Sequence, residues 1–364
     1  MGDFFSAHRE WASRPADERF TSLVDMLDHF RRLKAHSAER IVANRKLTVE
    51  PLDAKQIVVT GPNGHAYKPT HWSFGQLASL VGAPASYLRR LPAPMVADCL
   101  NYGLRLERDV EDVGVLITNM DGEHTLRATT GPAYGRVWNE QVVGQLVDRF
   151  GDGVTGQWRV PGEFGRAVTV NKGNTTLYAS DRDMFVFLCD ENNRVEVPNR
   201  RNGMSGSMAR GFYVWNSEVG AETLGVATFL FDYVCANRII WGGTNYKEIK
   251  VRHTKSAPDR FLEEVAPAVQ RFAEGSARGI NQAIEDARAH RLNDDSLDAF
   301  LAQRFSKGMV GAIKAAHLED EGRPIETAWD VVVGATAHAR TIQHQDARID
   351  IEKAAGRILD RAGS

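Results

Sequence analysis

The sequence predicts an α+β fold, with a central antiparallel β-rich core between an N-terminal helical and hairpin region and a C-terminal helical region. Three observations carry that prediction. Runs of β-branched and aromatic residues gather between Gly151 and about Arg252, separated by Gly/Asn/Asp turns. Helical periodicity takes over after Pro258. Neither a βαβ alternation nor a repeat period is present. A chain of 364 residues holds two or three structural units. The expected divisions are 1–110, 111–255 and 256–364.

Residues 13–35 read as a helix, because Phe20, Leu23, Val24, Leu27, Phe30 and Leu33 recur at three- and four-residue steps. Ser13 suits its N-cap and Pro15 its first turn. "RKLTVEPL" and "KQIVVTGPNG" read as a paired hairpin with a "GPNG" turn. Residues 72–105 are helical again, and within them "FGQLASLVGAPASYLRRL" has helix-turn-helix spacing. Ser86, Arg89 and Arg90 there are placed to face phosphates; an ordinary helical hairpin is the alternative. "GVLITNMDGEHTLRATT" alternates around "MDGE", the pattern of two antiparallel strands. "VWNEQVVGQLVDRFG" is an amphipathic helix closed by glycine. "RAVTV", "TTLYASDRDMFVFLCD", "GFYVWNSEVGAETLGVATFLFDYVCANRIIW" and "EIKVRHT" supply the core strands, and amphipathic helices follow to the end.

Hydrophobic residues make up 43% and charged residues 25%, at a formal net charge of −2. That balance excludes a surface basic all over, so any nucleic-acid site has to be a local patch. Cys99, Cys189 and Cys235 lie far apart without metal spacing and read as reduced, buried thiols. With no long apolar run, the expectation is a cytoplasmic chain without membrane partners.

Charge is segregated inside this nearly neutral chain. Between Arg200 and Lys255, eight Lys/Arg stand against four acids. The stretch Asp190–Gly220 reads as a long, glycine-bearing basic loop with Arg194, Arg200, Arg201 and Arg210, followed by Phe212, Tyr213 and Trp215; the alternative is a merely solvated loop, with alternate aromatics of that strand facing the core. In "YKEIKVRHTK", strand periodicity puts Tyr246, Glu248, Lys250 and Arg252 on one face, with Lys255 just beyond. Cations beside aromatic rings suit single-stranded nucleic acid, since phosphates take the charge and bases stack. A solvated edge strand protected by lysines explains the second stretch as well. No HExxH, P-loop, GxGxxG or GxSxG occurs. No cofactor is therefore expected. Asp181, Asp183, Asp190 and Glu191 are the acids a divalent cation would use at strand ends, with ordinary acidic turn residues as the alternative.

"FDYVCANRIIWGG…IKVRHTK", "NSEVG", "ITNMDGEHTLRATTGPAYGRVWNEQVV", "TAWDVVVGATAHA" and "LASLVGAPASYLRRLP" together resemble the phage/plasmid-like family DUF932, a domain of unknown function. The resemblance runs from about Trp72 to Ala339 and implies work near the DNA of mobile elements. A more distant similarity to Rad52-like single-strand annealing proteins implies an oligomeric ring or filament. The resulting expectation is a non-enzymatic, homo-oligomeric nucleic-acid-binding protein, acting on single-stranded DNA. Its contacts would be Arg200, Arg201, Arg210, Lys250, Arg252 and Lys255, with Tyr213, Trp215 and Tyr246 as stacking rings. A protein-assembly module of a mobile element is the alternative, and a metal-dependent nuclease the third reading.

Overall fold

In the computed structural model, the described residues are 16–106, 111–160, 169–200, 203–232, 237–239, 249–275, 278–342, 351–352 and 354–359. They form a mixed α+β protein with two sheets. The first has six strands in the order β1-β5-β6-β4-β3-β2. These are β1 (Ser37–Ala43), β2 (Thr48–Pro51), β3 (Ile57–Thr60), β4 (Ala66–Pro69), β5 (Asp112–Met120) and β6 (Glu123–Thr130). The pairing of β2 with β3 is the expected one, but the "GPNG" turn joins β3 to β4 and not β2 to β3. The β5/β6 turn places Asp121 at φ 54° and Gly122 at φ 80°, the left-handed pair that a tight two-residue hairpin demands. Two features went unread in the sequence: β1, and the parallel pairing of β4 with β6.

Helix α1 (Leu23–Ala35) begins later than the periodicity suggested. Its N-cap is Ser22, whose hydroxyl accepts from the Asp25 amide at 3.0 Å. Ser13 and Pro15 lie outside the described residues. Helices α2 (His71–Leu80), α3 (Ala85–Leu88) and α4 (Ala93–Arg105) cover the six-stranded sheet, with Leu77, Leu88, Val96 and Leu100 in its core. Gly82, at φ 70°, makes the turn between α2 and α3. Helix α3 is four residues long, too short to lie along a DNA groove as a recognition helix.

The second sheet has eight described strands: β7 (Trp158–Arg159), β8 (Leu177–Ala179), β9 (Met184–Asp190), β10 (Val195–Arg200), β11 (Met204–Asn216), β12 (Leu224–Asp232), β13 (Asn237–Ile239) and β14 (Ile249–Val251). All its pairings are antiparallel. The stretch expected to be a mobile basic loop is the hairpin β10/β11, with only three residues between its strands. Both faces of this sheet are buried. Val186, Leu188, Phe212 and Val214 pack against α1, α5 (Asn139–Phe150) and the rod that follows β14. That rod comprises α6 (Ala257–Arg260), a π turn (Phe261–Val265) and α7 (Ala266–Glu274). Phe185, Phe187, Tyr213 and Trp215 fill the other face.

Helices α8 (Arg278–Ala289), α9 (Asp294–Ala302), α10 (Lys307–Glu321) and α11 (Ala328–Thr341) share another core with Val197, Met208 and Leu230. The expected boundary at 111 falls inside the six-stranded sheet, because β5 pairs with β1. The boundary at 256 cuts a shared core. No helix of the described residues is long and apolar enough to cross a membrane.

Candidate functional site

The expected contact residues divide into buried and exposed sets. Arg200 is 1% exposed, and its Nε donates to Glu321 Oε1 at 2.9 Å. Arg210 is 6% exposed and its Nε donates to Asp190 Oδ2 at 2.9 Å. The same guanidinium caps the end of α7, donating to the carbonyls of Phe272 (3.2 Å), Ala273 (3.1 Å) and Gly275. Both arginines are therefore corrected from exposed contacts to structural ion pairs. A guanidinium this deep needs a carboxylate, and the fold supplies one to each.

Tyr213 and Trp215 are corrected in the same way. Their rings stack on each other at 4.8 Å inside the sheet core. Gly225 lies opposite Trp215 on β12, and a Cβ there would overlap the indole. No base reaches rings placed so. Arg201 and Tyr246 lie outside the described residues.

Lys250, Arg252 and Lys255 are exposed. Lys250 sits on β14 with its ammonium 6.0 Å from the Trp215 ring. The backbone after it is pinned. Gly135 N donates to His253 O at 3.0 Å, and His253 Nδ1 lies 3.1 Å from Gly135 O. The imidazole stacks on Tyr134 at 4.9 Å. Gly135 is required, since a Cβ would overlap the Thr254 carbonyl oxygen. Burial holds the His253 imidazole below its ordinary value of 6.5; the Gly135 carbonyl opposes that, and the Arg136 charge reinforces it.

The acids of the nuclease reading are otherwise engaged. Asp190 accepts from Arg210, from Gln157 Nε2 (3.1 Å) and from the Asn193 side chain. Asp183 accepts from Ser180 Oγ at 2.7 Å, and Asp181 is exposed. Among the described residues, no group of His, Cys, Asp and Glu could hold a metal ion. Cys189 is buried as expected, Cys99 is exposed, and Cys235 lies outside the described residues.

A second constellation is built from motifs that in the sequence mark the family and name no site. "NSEVG", Asn216–Gly220, follows β11 and locks the two sheets together. Glu218 is 3% exposed; its Oε2 accepts from Arg127 of β6 at 2.8 Å. Its Oε1 accepts from the Asn139 amide at 2.8 Å, so the carboxylate sits at the N-terminus of α5. Its backbone carbonyl accepts from Arg136, whose Nη2 donates to Glu39 Oε1 at 2.9 Å. Asn216 Nδ2 donates to Val137 O at 2.8 Å. Tyr134 OH donates to Ser217 O at 2.9 Å. Trp72 and Gln76 of α2 both donate to Val219 O, at 3.1 and 2.7 Å.

"TAWDVVVGATAHA" does similar work in the helical region. Thr327 caps α11 and Asp330 accepts from the amides of Glu326 and Thr327, each at 3.0 Å. Arg323 donates to both Asp330 oxygens. Burial pushes the Asp330 carboxyl up, but His317, Arg323 and the backbone amide of Glu326 outweigh it and hold it well below the usual range.

Two sheets clamped by a buried polar junction, closed by helices and carrying an exposed basic segment, define an α+β protein built as one interlocked body. The chain belongs to the DUF932 family, a domain of unknown function, whose pattern matches residues 174–355. That range begins at residue 174, so the resemblance seen from Trp72 onward, including "LASLVGAPASYLRRLP" and "ITNMDGEHTLRATTGPAYGRVWNEQVV", is not part of it up to that point. No curated protein and no solved structure matches the chain, and the similarity to Rad52-like annealing proteins finds no support.

Proposed function

We propose that this chain binds nucleic acid, preferentially single-stranded, through the basic segment Lys250–Lys255. One observation carries the reading. Lys250, Arg252 and Lys255 are exposed within six residues, on a backbone held by the Gly135–His253 hydrogen bonds and the Tyr134–His253 stack. Among the described residues, no carboxylate forms an ion pair with Arg252 or Lys255. Cations on a pinned backbone lose less entropy on gripping phosphates than cations on a loose loop.

The test is a titration of labelled single- and double-stranded oligonucleotides at two salt concentrations. Lys250→Ala with Arg252→Ala is expected to weaken binding and flatten the salt dependence by about one unit of slope per lost phosphate contact. Unchanged affinity and slope in that variant would remove the reading.

A protein-assembly role is the second reading, favoured by one exposed stripe. Met95, Cys99 and Tyr102 recur along one side of α4, and Tyr102 is 71% exposed. A second copy of this chain would cover it. Mass measured during the same titration distinguishes the readings, because assembly without nucleic-acid retention favours this one.

A further inference from the structure

We propose that a cleft between the six-stranded sheet and its covering helices binds a phosphate monoester carried on an apolar or aromatic body, the chemistry of a nucleotide. The cleft encloses about 300 Å³. Three cations from three separate elements line it: Lys55 from the β2–β3 connection, Lys68 from β4 and Arg89 from the end of α3. Exposed His71 also lines it. Its floor is apolar, with Ile57 and Leu88 buried and the Phe74 ring half-buried.

Among the described residues, no carboxylate lines this cleft. Asp53, outside the lining, holds its carboxyl low by accepting from the amides of Lys55 and Gln56 at Oδ1, each at 2.7 Å, and its charge also acts on Lys68 and Lys55, so it offsets one of the three cations and leaves a surplus of positive charge. Among the described residues, no ion pair engages Lys55, Lys68 or Arg89. Arg89 is nevertheless held in place. Its Nη2 donates to His71 O at 2.8 Å, and its guanidinium lies 5.0 Å from the Phe74 ring. Its other N–H groups are left for a ligand. Like charges converging on one cleft repel each other unless an anion joins them, and a dianionic phosphate supplies that charge.

Two alternatives are weaker. Thr70 already caps α2, accepting from Ser73 N at 3.1 Å, which leaves the side-chain cations and not the helix end to hold an anion. The apolar cleft of about 270 Å³ lined by Leu47, Val59 and Ile117 has nothing to define its occupant. The phosphate proposal does not rest on the nucleic-acid reading, since it uses another sheet and other residues.

Calorimetry on the full chain tests it, with adenosine 5′-monophosphate, adenosine, inorganic phosphate, and matched oligonucleotides bearing a 5′-phosphate or a 5′-hydroxyl. The monophosphate is expected to bind, adenosine not, and inorganic phosphate to compete. Lys55→Gln with Lys68→Gln should lower the affinity about tenfold or more with an unchanged circular dichroism spectrum. Arg89→Gln should act in the same direction. Measured in the Lys250→Ala, Arg252→Ala variant, a preference for the 5′-phosphorylated strand identifies a strand end as the ligand; binding of the free monophosphate with no such preference identifies a free nucleotide. The Lys250→Ala, Arg252→Ala variant should bind the monophosphate as the unaltered chain does, which separates failure of the two proposals. No heat with millimolar monophosphate, equal binding of adenosine, or full affinity in the double glutamine variant would overturn this one.

Discussion

Arg200 and Arg210 look like surface cations in the one-dimensional chain because glycine, serine and asparagine surround them. Their carboxylate partners lie far off in sequence or behind a turn: Glu321 for Arg200 and Asp190 for Arg210. At this scale the clearest consequence concerns Glu218. Glu218→Gln keeps the shape but leaves Arg127 charged and buried. The expected loss is about 3 kcal/mol, read as a shift of the urea midpoint. His253 gives a pH dependence of definite sign. Burial depresses its folded-state value below 6.5, so the unfolded chain takes up the proton first as pH falls. Its contribution is full above about pH 6.5 and is lost as pH drops through the lowered folded value. Burial depresses His29 and His338 in the same direction. The urea midpoint should therefore be lower at pH 5.5 than at pH 7.5, and His253→Gln should narrow that gap. An unchanged gap would assign the dependence to other groups.

At the scale of elements, local chemistry was readable wherever the chain alone decides it. The "MDGE" hairpin and the glycine-closed helix α5 stand where turn residues and periodicity put them, and β2 pairs with β3 although the "GPNG" turn belongs to β3/β4. The strand β11 was misread because "NGMSGSMARG" carries turn-forming residues through its first half, and pairing with β9, β10 and β12 overrides them. The turn after β14 offers a direct test of preorganisation. Gly135→Ala pushes a methyl group against the Thr254 carbonyl oxygen and should displace the His253–Lys255 turn. Stability is expected to fall by about 1–3 kcal/mol, and nucleic-acid affinity to weaken although no charge has changed. Stability lost at full affinity would show that the pinned backbone does not serve binding.

Across the whole molecule, one core draws on three distant stretches of chain. Leu23, Met26 and Phe30 of α1 meet Phe212 and Val214 of β11 and Phe261, Val265 and Phe272 of the rod beyond β14. A chain ending after Lys255 loses that cover and the carbonyls that hold Arg210. It should lack cooperative thermal unfolding, as followed by circular dichroism. A truncated chain that unfolds as sharply as the full one would restore the boundary expected at residue 256. The Arg127–Glu218 pair ties the six-stranded sheet to the eight-stranded one, so the two should also unfold together.

What the sequence by itself determined was the α+β class, most hairpins and helices, the kinship with DUF932 and the basic character of Lys250–Lys255. These rest on near neighbours, whose spacing is written along the chain. Only the tertiary structure decided which cations face water, because burial depends on residues that meet across hundreds of positions. It set Arg200 on Glu321, turned Tyr213 and Trp215 inward, and drew Lys55, Lys68 and Arg89 to one cleft. Charge can be counted in a sequence, but its neutralisation is a property of contacts.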